Sequence, residues 1–127
     1  MAIDLNPVMD AIGARLLTIS GLRVYDYAAD NISVPAAVVA LPTIEFDVTK
    51  ARGVDRGTFP IHVLVSRISD RASRDKANTF VGSVKTAIDG TLGGTVHAAR
   101  VMDTTYSEMQ VAGVDYLAAT VNVEVFD

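Results

Sequence analysis

The chain has 127 residues, no cysteine and a formal net charge of −4 at pH 7, and 50% of its residues are hydrophobic. This size and composition suit one domain, residues 1–127, and they exclude a disulfide framework and a thiolate metal site. The N-terminus lacks the features of a signal peptide, and no apolar run approaches the roughly 20 residues that span a bilayer. We therefore expect a protein that is made in the cytoplasm and has no membrane partner.

The first predicted element is a helix. Asn6 suits the capping position and Pro7 the first helical position, and Gly21 is expected to end the helix. The apolar residues that follow the cap at helical spacing are Val8, Ile12, Leu16 and Ile19. They predict an amphipathic helix with one face in the core.

The next four predicted elements are strands. Residues 22–27 form a short strand, and the continuous apolar run at 36–41 predicts a strand that is buried on both faces. Residues 43–48 alternate between apolar and polar, which is typical of a half-exposed strand. In residues 58–69 the alternating positions from Phe59 to Val65 are apolar, so one face of this strand is expected in the core.

A second helix and two strands complete the chain. Ser69 or Asp70 is expected to cap the helix. Its apolar stripe comprises Ala77, Phe80, Val81, Val84 and Ile88. Residues 96–106 and 114–126 are the last two strands, joined across 107–113. In the final strand Leu117, Ala119, Val121, Val123 and Val125 are expected to face the core, and Thr120, Asn122 and Glu124 to face outwards.

The predicted order is α-β-β-β-β-α-β-β, without a linker or an internal repeat. Two helices and several hairpins predict an α+β fold, a small α/β-type domain in which two helices pack on one side of a mixed, mostly antiparallel sheet. The opposite side is expected to be uncovered. There, Tyr116, Thr120 and Asn122 suit contact with another chain as well as with water.

The charges are unevenly distributed along the chain. Residues 50–85 contain eight basic and three acidic residues, which gives +5, whereas the remainder contains three basic and 12 acidic residues, which gives −9. Such a chain can present a basic face and an acidic face that steer head-to-tail self-association. Alternatively, the charges are interspersed on the surface of a folded monomer, and the sequence leaves both interpretations open.

The stretch TKARGVDRGTF, residues 49–59, resembles a phosphate-binding loop only superficially. A phosphate loop has the spacing G-x-x-x-x-G-K-S/T and leads into a helix, whereas Gly53 and Gly57 are four residues apart and a strand follows. The two glycines are therefore expected to form turns in a long hairpin tip. Nucleic-acid binding is disfavoured because the chain is acidic and only Phe59 offers a nearby stacking ring; a weak backbone contact stays open.

Basic residues also occupy the first turns of the second helix. Arg71, Arg74 and Lys76 oppose the helix dipole there, which costs some tenths of a kcal/mol each at exposed sites. Local pairing with Asp70 and Asp75 is one explanation. Pairing with carboxylates of another chain is the other.

No constellation of residues indicates catalysis. His62 and His97 each lie in a strand without a second metal ligand at suitable spacing, and no serine has the context of a nucleophile elbow. We therefore predict no enzyme activity, no metal site and no cofactor.

Several phrases of the sequence, taken together, resemble one family. VMDAIGARLLTISGLRVYDY, PAAVVALP, RGVDRGTFPIHVLVSRISDRASRDK, SVKTAIDGTLGG and VAGVDYLAATVNVEVF occur in this order over nearly the whole chain. They resemble the tail terminator proteins of long-tailed bacteriophages, particularly those of actinobacterial phages. The resemblance implies a compact subunit with a mixed sheet and helices packed on it.

The resemblance also implies an assembly and its partners. The expected assembly is a homohexameric ring that caps the tail tube, stops its polymerisation and provides the surface on which the head connector docks. It is built in the host cytoplasm and lies at the tail–neck junction of the virion. The implied partners are further copies of the chain, the tail tube protein and a head–tail connector or head-completion protein. DNA passing through the lumen is a possible non-specific contact.

One basic region is the predicted contact site for a neighbouring subunit, the tube, the connector or the lumen. It comprises Lys50, Arg52, Asp55, Arg56, Arg71, Arg74 and Lys76. The alternative functions are another neck component, such as a head-closure or head–tail joining protein, and a small α/β ligand-binding domain or enzyme that uses His62 or the loop.

Overall fold

The computed structural model describes residues 3–25, 33–46, 54–67, 70–111 and 113–127. Its elements are α1 (Leu5–Leu16), β1 (Arg23–Tyr25), β2 (Ala36–Val39), β3 (Thr43–Glu45), β4 (Arg56–Ser66), α2 (Arg71–Ile88), β5 (Ala98–Val111) and β6 (Val114–Phe126). The predicted α+β class and the predicted order of elements are both confirmed.

The six strands form one sheet in the order β1-β2-β4-β6-β5, and β3 also pairs with β4. The β1–β2 pair is parallel and every other pair is antiparallel. β2 and β3 follow each other along the same side of β4, because β2 pairs with residues 61–64 and β3 with residues 56–58. Pro42 lies in the interruption between them, where its missing N–H removes one ladder bond.

Both helices pack on the same face of the sheet. The core between the layers contains the alternating β4 residues Phe59, Ile61, Val63 and Val65 and the alternating β6 residues from Leu117 to Val125. The helices contribute Val8, Ile12, Leu16, Ala77, Val84 and Ile88 to the same core. The predicted apolar stripes of α2 and of both strands are therefore confirmed, and that of α1 is confirmed up to Leu16, because Ile19 lies beyond the end of the helix.

The ends of the helices differ in detail from the prediction. α1 begins at Leu5, after Asp4 at the N-cap, so Pro7 is the third helical residue. Proline is tolerated there because the first N–H groups of a helix have no intrahelical partner. α1 ends at Leu16, and Gly21, with φ of +79°, lies in the following turn. α2 begins as predicted, with Asp70 at its N-cap.

A second apolar cluster lies on the face of the sheet away from the helices. It consists of Ala36, Val38, Leu64, Tyr116 and Ala118. Leu64 pairs with both Ala36 and Ala118, so small side chains on two neighbouring strands flank one large one. Tyr116, expected on an uncovered surface, is 5% exposed because it belongs to this cluster.

The β5–β6 hairpin is longer than predicted. Residues 107–111, expected in a loop, continue β5 until Val111 pairs with Val114. Gly113, with φ of +78°, lies in the short turn between them. The additional residues stay extended because they pair with β6, and because Met109 and Val111 pack against the second cluster.

Candidate functional site

The predicted basic region is not continuous in space. Lys50 and Arg52 lie outside the described residues. Arg56 begins β4, whereas α2 starts beyond the other end of that strand. A strand of 11 residues spans roughly 33 Å, so Arg56 and the basic start of α2 lie at opposite ends of the sheet. The described basic residues therefore do not form one continuous patch within a single chain, and their contact with a partner stays a prediction.

Arg56 belongs to an ion cluster within the chain. Its guanidinium donates to Glu45 on β3 and lies 4.0 Å from the carboxylate of Glu124 on β6. The side chain of Glu124, expected to face outwards, is 6% exposed and accepts a hydrogen bond of 2.9 Å from Arg100 Nε. A carboxylate buried to this degree needs such partners. Arg56 therefore stabilises the charge of Glu124 within the fold.

Asp55 also has a role within the fold. It is 5% exposed, and its N–H donates to the main-chain oxygen of Asp127 over 3.1 Å. The N–H of Asp127 donates in return to the main-chain oxygen of Asp55 over 3.2 Å. This pair of hydrogen bonds extends the β4–β6 ladder by one step beyond the two strands. Asp55 was predicted as a contact for a partner, and its main chain instead bonds within the fold.

The three basic residues at the start of α2 are exposed. The carboxylate of Asp70 accepts a hydrogen bond of 2.8 Å from the Ser73 N–H, which is the main cause of its lowered pKa. Arg74 Nε donates to the main-chain oxygen of Asp70 over 3.4 Å. Within the described ranges none of Arg71, Arg74 and Lys76 forms a side-chain ion pair. Their positive charges are therefore accessible to a partner.

Two grooves flank α2. One, of about 430 Å³, separates Arg74 and Asn78 on α2 from Tyr106 and Glu108 on β5. The other, of about 820 Å³, lies between residues 18–20 and the exposed side of α2. The α2 hydroxyl groups in the second groove donate to carbonyl oxygens one turn earlier; they belong to Thr79, Ser83 and Thr86. These hydroxyls are committed to the helix backbone.

The histidines do not form a reactive site in the described part of the chain. His62 Nδ1 lies 3.0 Å from Thr120 Oγ1, and burial lowers the pKa of His62, so its ring is neutral at pH 7. His97 is exposed, with Nδ1 3.7 Å from an Asp127 carboxylate oxygen. No group of three or more His, Cys, Asp or Glu residues in the described ranges could hold a metal ion.

The outer edge of β5 is the largest unpaired feature of the described sheet. β5 pairs with β6 on one side; on the other, Gly90 bridges to Ala99 and the Asp89 carboxylate accepts from the Val101 N–H. Beyond these contacts, no described strand pairs with the outer side of residues 102–111. Met102 is 40% exposed and Tyr106 is 48% exposed along this stretch.

The opposite edge of the described sheet includes β3. Among the described strands, β3 pairs with β4 alone, and none of them pairs with its other side. Leu41 and Phe46 flank β3 and are 74% and 70% exposed. Neither open edge was predicted, because strand order is not visible in the periodicity of a single strand. The unusual length of the final hairpin was the available signal for β5.

Comparison with models of known protein families gives no match, and comparison with curated protein sequences gives none either. In the described portions of the chain, neither helix combines the length and apolar character that crossing a bilayer requires.

Proposed function

We propose that this chain is a structural virion protein that forms a homohexameric ring. The ring caps the tail tube of a long-tailed bacteriophage, stops its polymerisation and provides the docking surface for the head connector. The observation that carries the proposal is the open edge of β5, in a chain whose phrases resemble tail terminator proteins in order. Capping is a binding function and requires no reactive side chains.

The composition of the β5 edge favours a protein partner. Monomeric proteins protect long edge strands with lysine, proline, bulges or a covering element. Residues 103–111 contain no lysine, proline or glycine, and their ladder to β6 is regular after the irregularity between Val101 and Asp103. The edge also presents the exposed side chain of Tyr106. An edge of this kind is a template for pairing with another chain.

A ring needs two different surfaces on each subunit. A heterologous contact closes when the rotation between subunits is a simple fraction of a turn, six steps in a hexamer. The two edges of this sheet differ, because β5 forms one and β1 and β3 form the other. The exposed cations of α2 lie at one end of the strands, and the ion cluster of Arg56 lies at the other. The two rims of such a ring would therefore differ, as binding to a tube and to a connector requires.

A neighbouring neck component is the second candidate. The same open edge would serve the ring of a head-closure or head–tail joining protein, so the contact between subunits does not distinguish these functions. The position of the subunit along the virion distinguishes them. A ligand-binding domain or enzyme has no comparable observation in its favour within the described residues.

The proposal is tested by mass and by position. Native mass spectrometry of the full chain mixed with tail tubes is expected to show a mass six times that of the 13.5 kDa chain. Gold-labelled antibody against the chain is expected at the head-proximal end of the tail in electron micrographs. A chain that stays monomeric with tail tubes present and is absent from virions would contradict the proposal. If the gold label lies at a different ring of the neck, the chain is the component that forms that ring and not the tail terminator.

A further inference from the structure

β1 and β5 are the outermost strands of the described sheet, on opposite sides. No described strand pairs with the outer side of β1 or with that of residues 102–111. We propose that β1 of one subunit pairs with β5 of the next, so that an antiparallel ladder crosses each subunit boundary. The occupant of the β5 edge is thus a second copy of this chain. This inference rests on the proposed ring, and it names the surfaces that hold the ring together.

The strand directions and levels suit this junction. β1 runs parallel to β2, and the pairs from β2 through β4 and β6 to β5 are antiparallel, so β1 and β5 run in opposite directions. The cross-strand pairs place Val24 on β1 level with Tyr106 on β5; the residues between them are Ala37, Val63 and Ala119. When the strands lie along the ring axis, rotation alone brings Val24 of one copy opposite Tyr106 of the next.

The hydrogen-bonding groups of the two edges are also in phase. The N–H of Arg23 donates inwards, to the segment just before β2, so the N–H and C=O of Val24 point to the open side. On β5 the N–H of Val101 points outwards, and the one extra residue that follows it shifts the alternation so that Tyr106 points outwards as well. Opposite residues of an antiparallel pair that face each other in this way exchange two hydrogen bonds.

The outlines of the two edges are complementary. β3 lies one strand inside β1 and is level with residues 98–100, so the described edge is recessed there. On the other edge, Gly90 bridges to Ala99 and covers β5 at this same level. The projection at Gly90 therefore faces the recess beside β3 of the neighbouring copy, and it does not obstruct the pairing of β1 with β5.

Side chains on the helix side of the sheet extend this contact. β1 has three residues, so its hydrogen bonds alone form a short ladder. Val24 and Tyr106 both lie on the helix side, because Val24 packs against the main core and Tyr106 pairs with the core residue Ala119. Tyr106 is 48% exposed and Val24 is half-buried. An aromatic side chain directly opposite a β-branched one stabilises a strand pair.

Two grooves meet at this pair of residues. Val24 borders one groove, of about 290 Å³, together with Asp10 and the 67% exposed Leu17 of α1. Tyr106 borders the other groove, of about 430 Å³, together with Arg74 of α2. Pairing of β1 with β5 sets the two grooves side by side on the helix side. Burial of the apolar surface of Leu17 and Tyr106 there stabilises the contact.

The two grooves also bring opposite charges to the junction. Asp10 and Arg74 are exposed, and neither forms a side-chain ion pair in the described ranges. The groove of Arg74 also contains Glu108, and Arg74 is the one cation among the described residues that line the two grooves. The junction thus offers Arg74 a carboxylate of another chain, which is one of the two pairings that the sequence left open for the start of α2.

The absence of cysteine allows a direct test by crosslinking. The variant Arg23→Cys with Ser107→Cys places one exposed thiol on each edge, at positions that the proposed register sets directly opposite each other. Within one subunit four strand spacings of about 4.8 Å, roughly 19 Å in all, separate these positions, whereas a disulfide requires Cα atoms within about 7 Å. Any disulfide must therefore join two subunits.

Two controls accompany this variant. Leu41→Cys with Ser107→Cys is the matched pair, because Leu41 is 74% exposed on the same side of the sheet as β1. Leu41 lies beyond the end of β2, which is level with Thr104, and so about 10 Å or more along the strands from the level of Ser107. Ser107→Cys alone is the control for contact between two β5 edges.

Oxidation in the presence of tail tubes is expected to give a covalent ladder up to the hexamer on a non-reducing gel. Both controls are expected to remain single chains. A ladder that stops at the dimer, dimers from Ser107→Cys alone, or an equal ladder from the matched pair would overturn the pairing of β1 with β5.

The same oxidised sample is measured by native mass spectrometry. Hexamers without a covalent ladder would overturn the edge pairing and leave the proposed ring intact. Monomers in the presence of tail tubes would overturn both. Because Arg23 and Ser107 are exposed, each single-cysteine variant is expected to keep the melting temperature of the unaltered chain.

Discussion

Gly57 shows how a single residue can have a different role from the one its neighbours indicate. Its place in the basic stretch predicted a turn, but it lies within β4. A Cβ atom at this position would lie 2.7 Å from Phe59 Cε1 and 3.2 Å from Ile3 Cδ1. The Phe59 ring is fully buried and has little room to move. Glycine is required here by close packing, and no turn is involved.

Gly57→Ala is expected to destabilise the fold. Overfilling a packed core costs about 1–3 kcal/mol, and the neighbouring aromatic ring would have to shift. The matched control is Gly82→Ala in α2, where no atom lies within 4 Å of the added Cβ. The control is expected to be neutral or to stabilise by up to about 1 kcal/mol. Urea unfolding of both variants measures the difference, and equal free energies of unfolding would contradict the packing role of Gly57.

At the scale of elements, periodic patterns predicted most of the fold. The alternation in β4 and β6 and the stripe of α2 place the same residues in the core that the structure places there. The end of β5 was missed because residues 107–111 are stabilised by pairing with β6, which their own sequence does not reveal. Glu124 was assigned to the outside for a similar reason, since its basic partners are on other strands.

The candidate site was less predictable than the elements. Arg56 and Arg71 are close in sequence, but the full length of β4 separates them in space. Their sequence proximity suggested one basic region, whereas an extended strand carries the chain to the far end of the sheet. The open edges became visible only with the strand order, which depends on pairing between distant segments.

The N-cap of α2 provides a prediction at this scale. Asp70→Ala removes the acceptor of the Ser73 N–H and leaves a donor of the first turn without its partner. We expect the melting temperature to fall by roughly 2–6 °C. Asp70→Asn is the matched control, because asparagine caps about as well as aspartate. Calorimetry that shows equal losses for both variants would indicate that charge, and not the capping hydrogen bond, stabilises the helix.

For the whole molecule, His62 makes stability depend on pH near neutrality. Burial lowers the pKa of His62 below the ordinary value of 6.5. Its cross-strand neighbours, Val38 on β2 and Thr120 on β6, carry no charge. As pH falls through 6.5, the unfolded chain takes up a proton that the folded chain does not. The free energy of unfolding is therefore expected to fall as pH falls from about 7.5, until the folded-state pKa is passed.

Urea unfolding at a series of pH values checks this dependence. His62→Gln is expected to flatten the curve between about pH 7.5 and 5. His97→Gln, at an exposed position, is the control and is expected to retain the slope set by His62. A slope that persists unchanged in the His62 variant would assign the dependence to another group.

A further acid-sensitive connection joins α2 to β5. Hydrogen bonds from the Lys85 ammonium and from the Val101 N–H lower the pKa of Asp89. The contribution of the Asp89 carboxylate to the free energy of unfolding is complete above the ordinary carboxyl pKa of 3.8. It is lost as the pH falls through the lower pKa that Asp89 has in the folded state. The end of α2 is thus attached to β5 by a contact that only strong acid should weaken.

The exposure of Tyr106 has a practical consequence for studying assembly. The chain contains no tryptophan, so its ultraviolet emission comes from tyrosine alone. Among the tyrosines of the described ranges, Tyr116 is 5% exposed whereas Tyr106 is 48% exposed on the β5 edge. A soluble quencher such as iodide reaches the second ring and not the first. The unlabelled, unmutated chain thus carries an optical reporter at its edge strand, and covering that edge would shield the reporter.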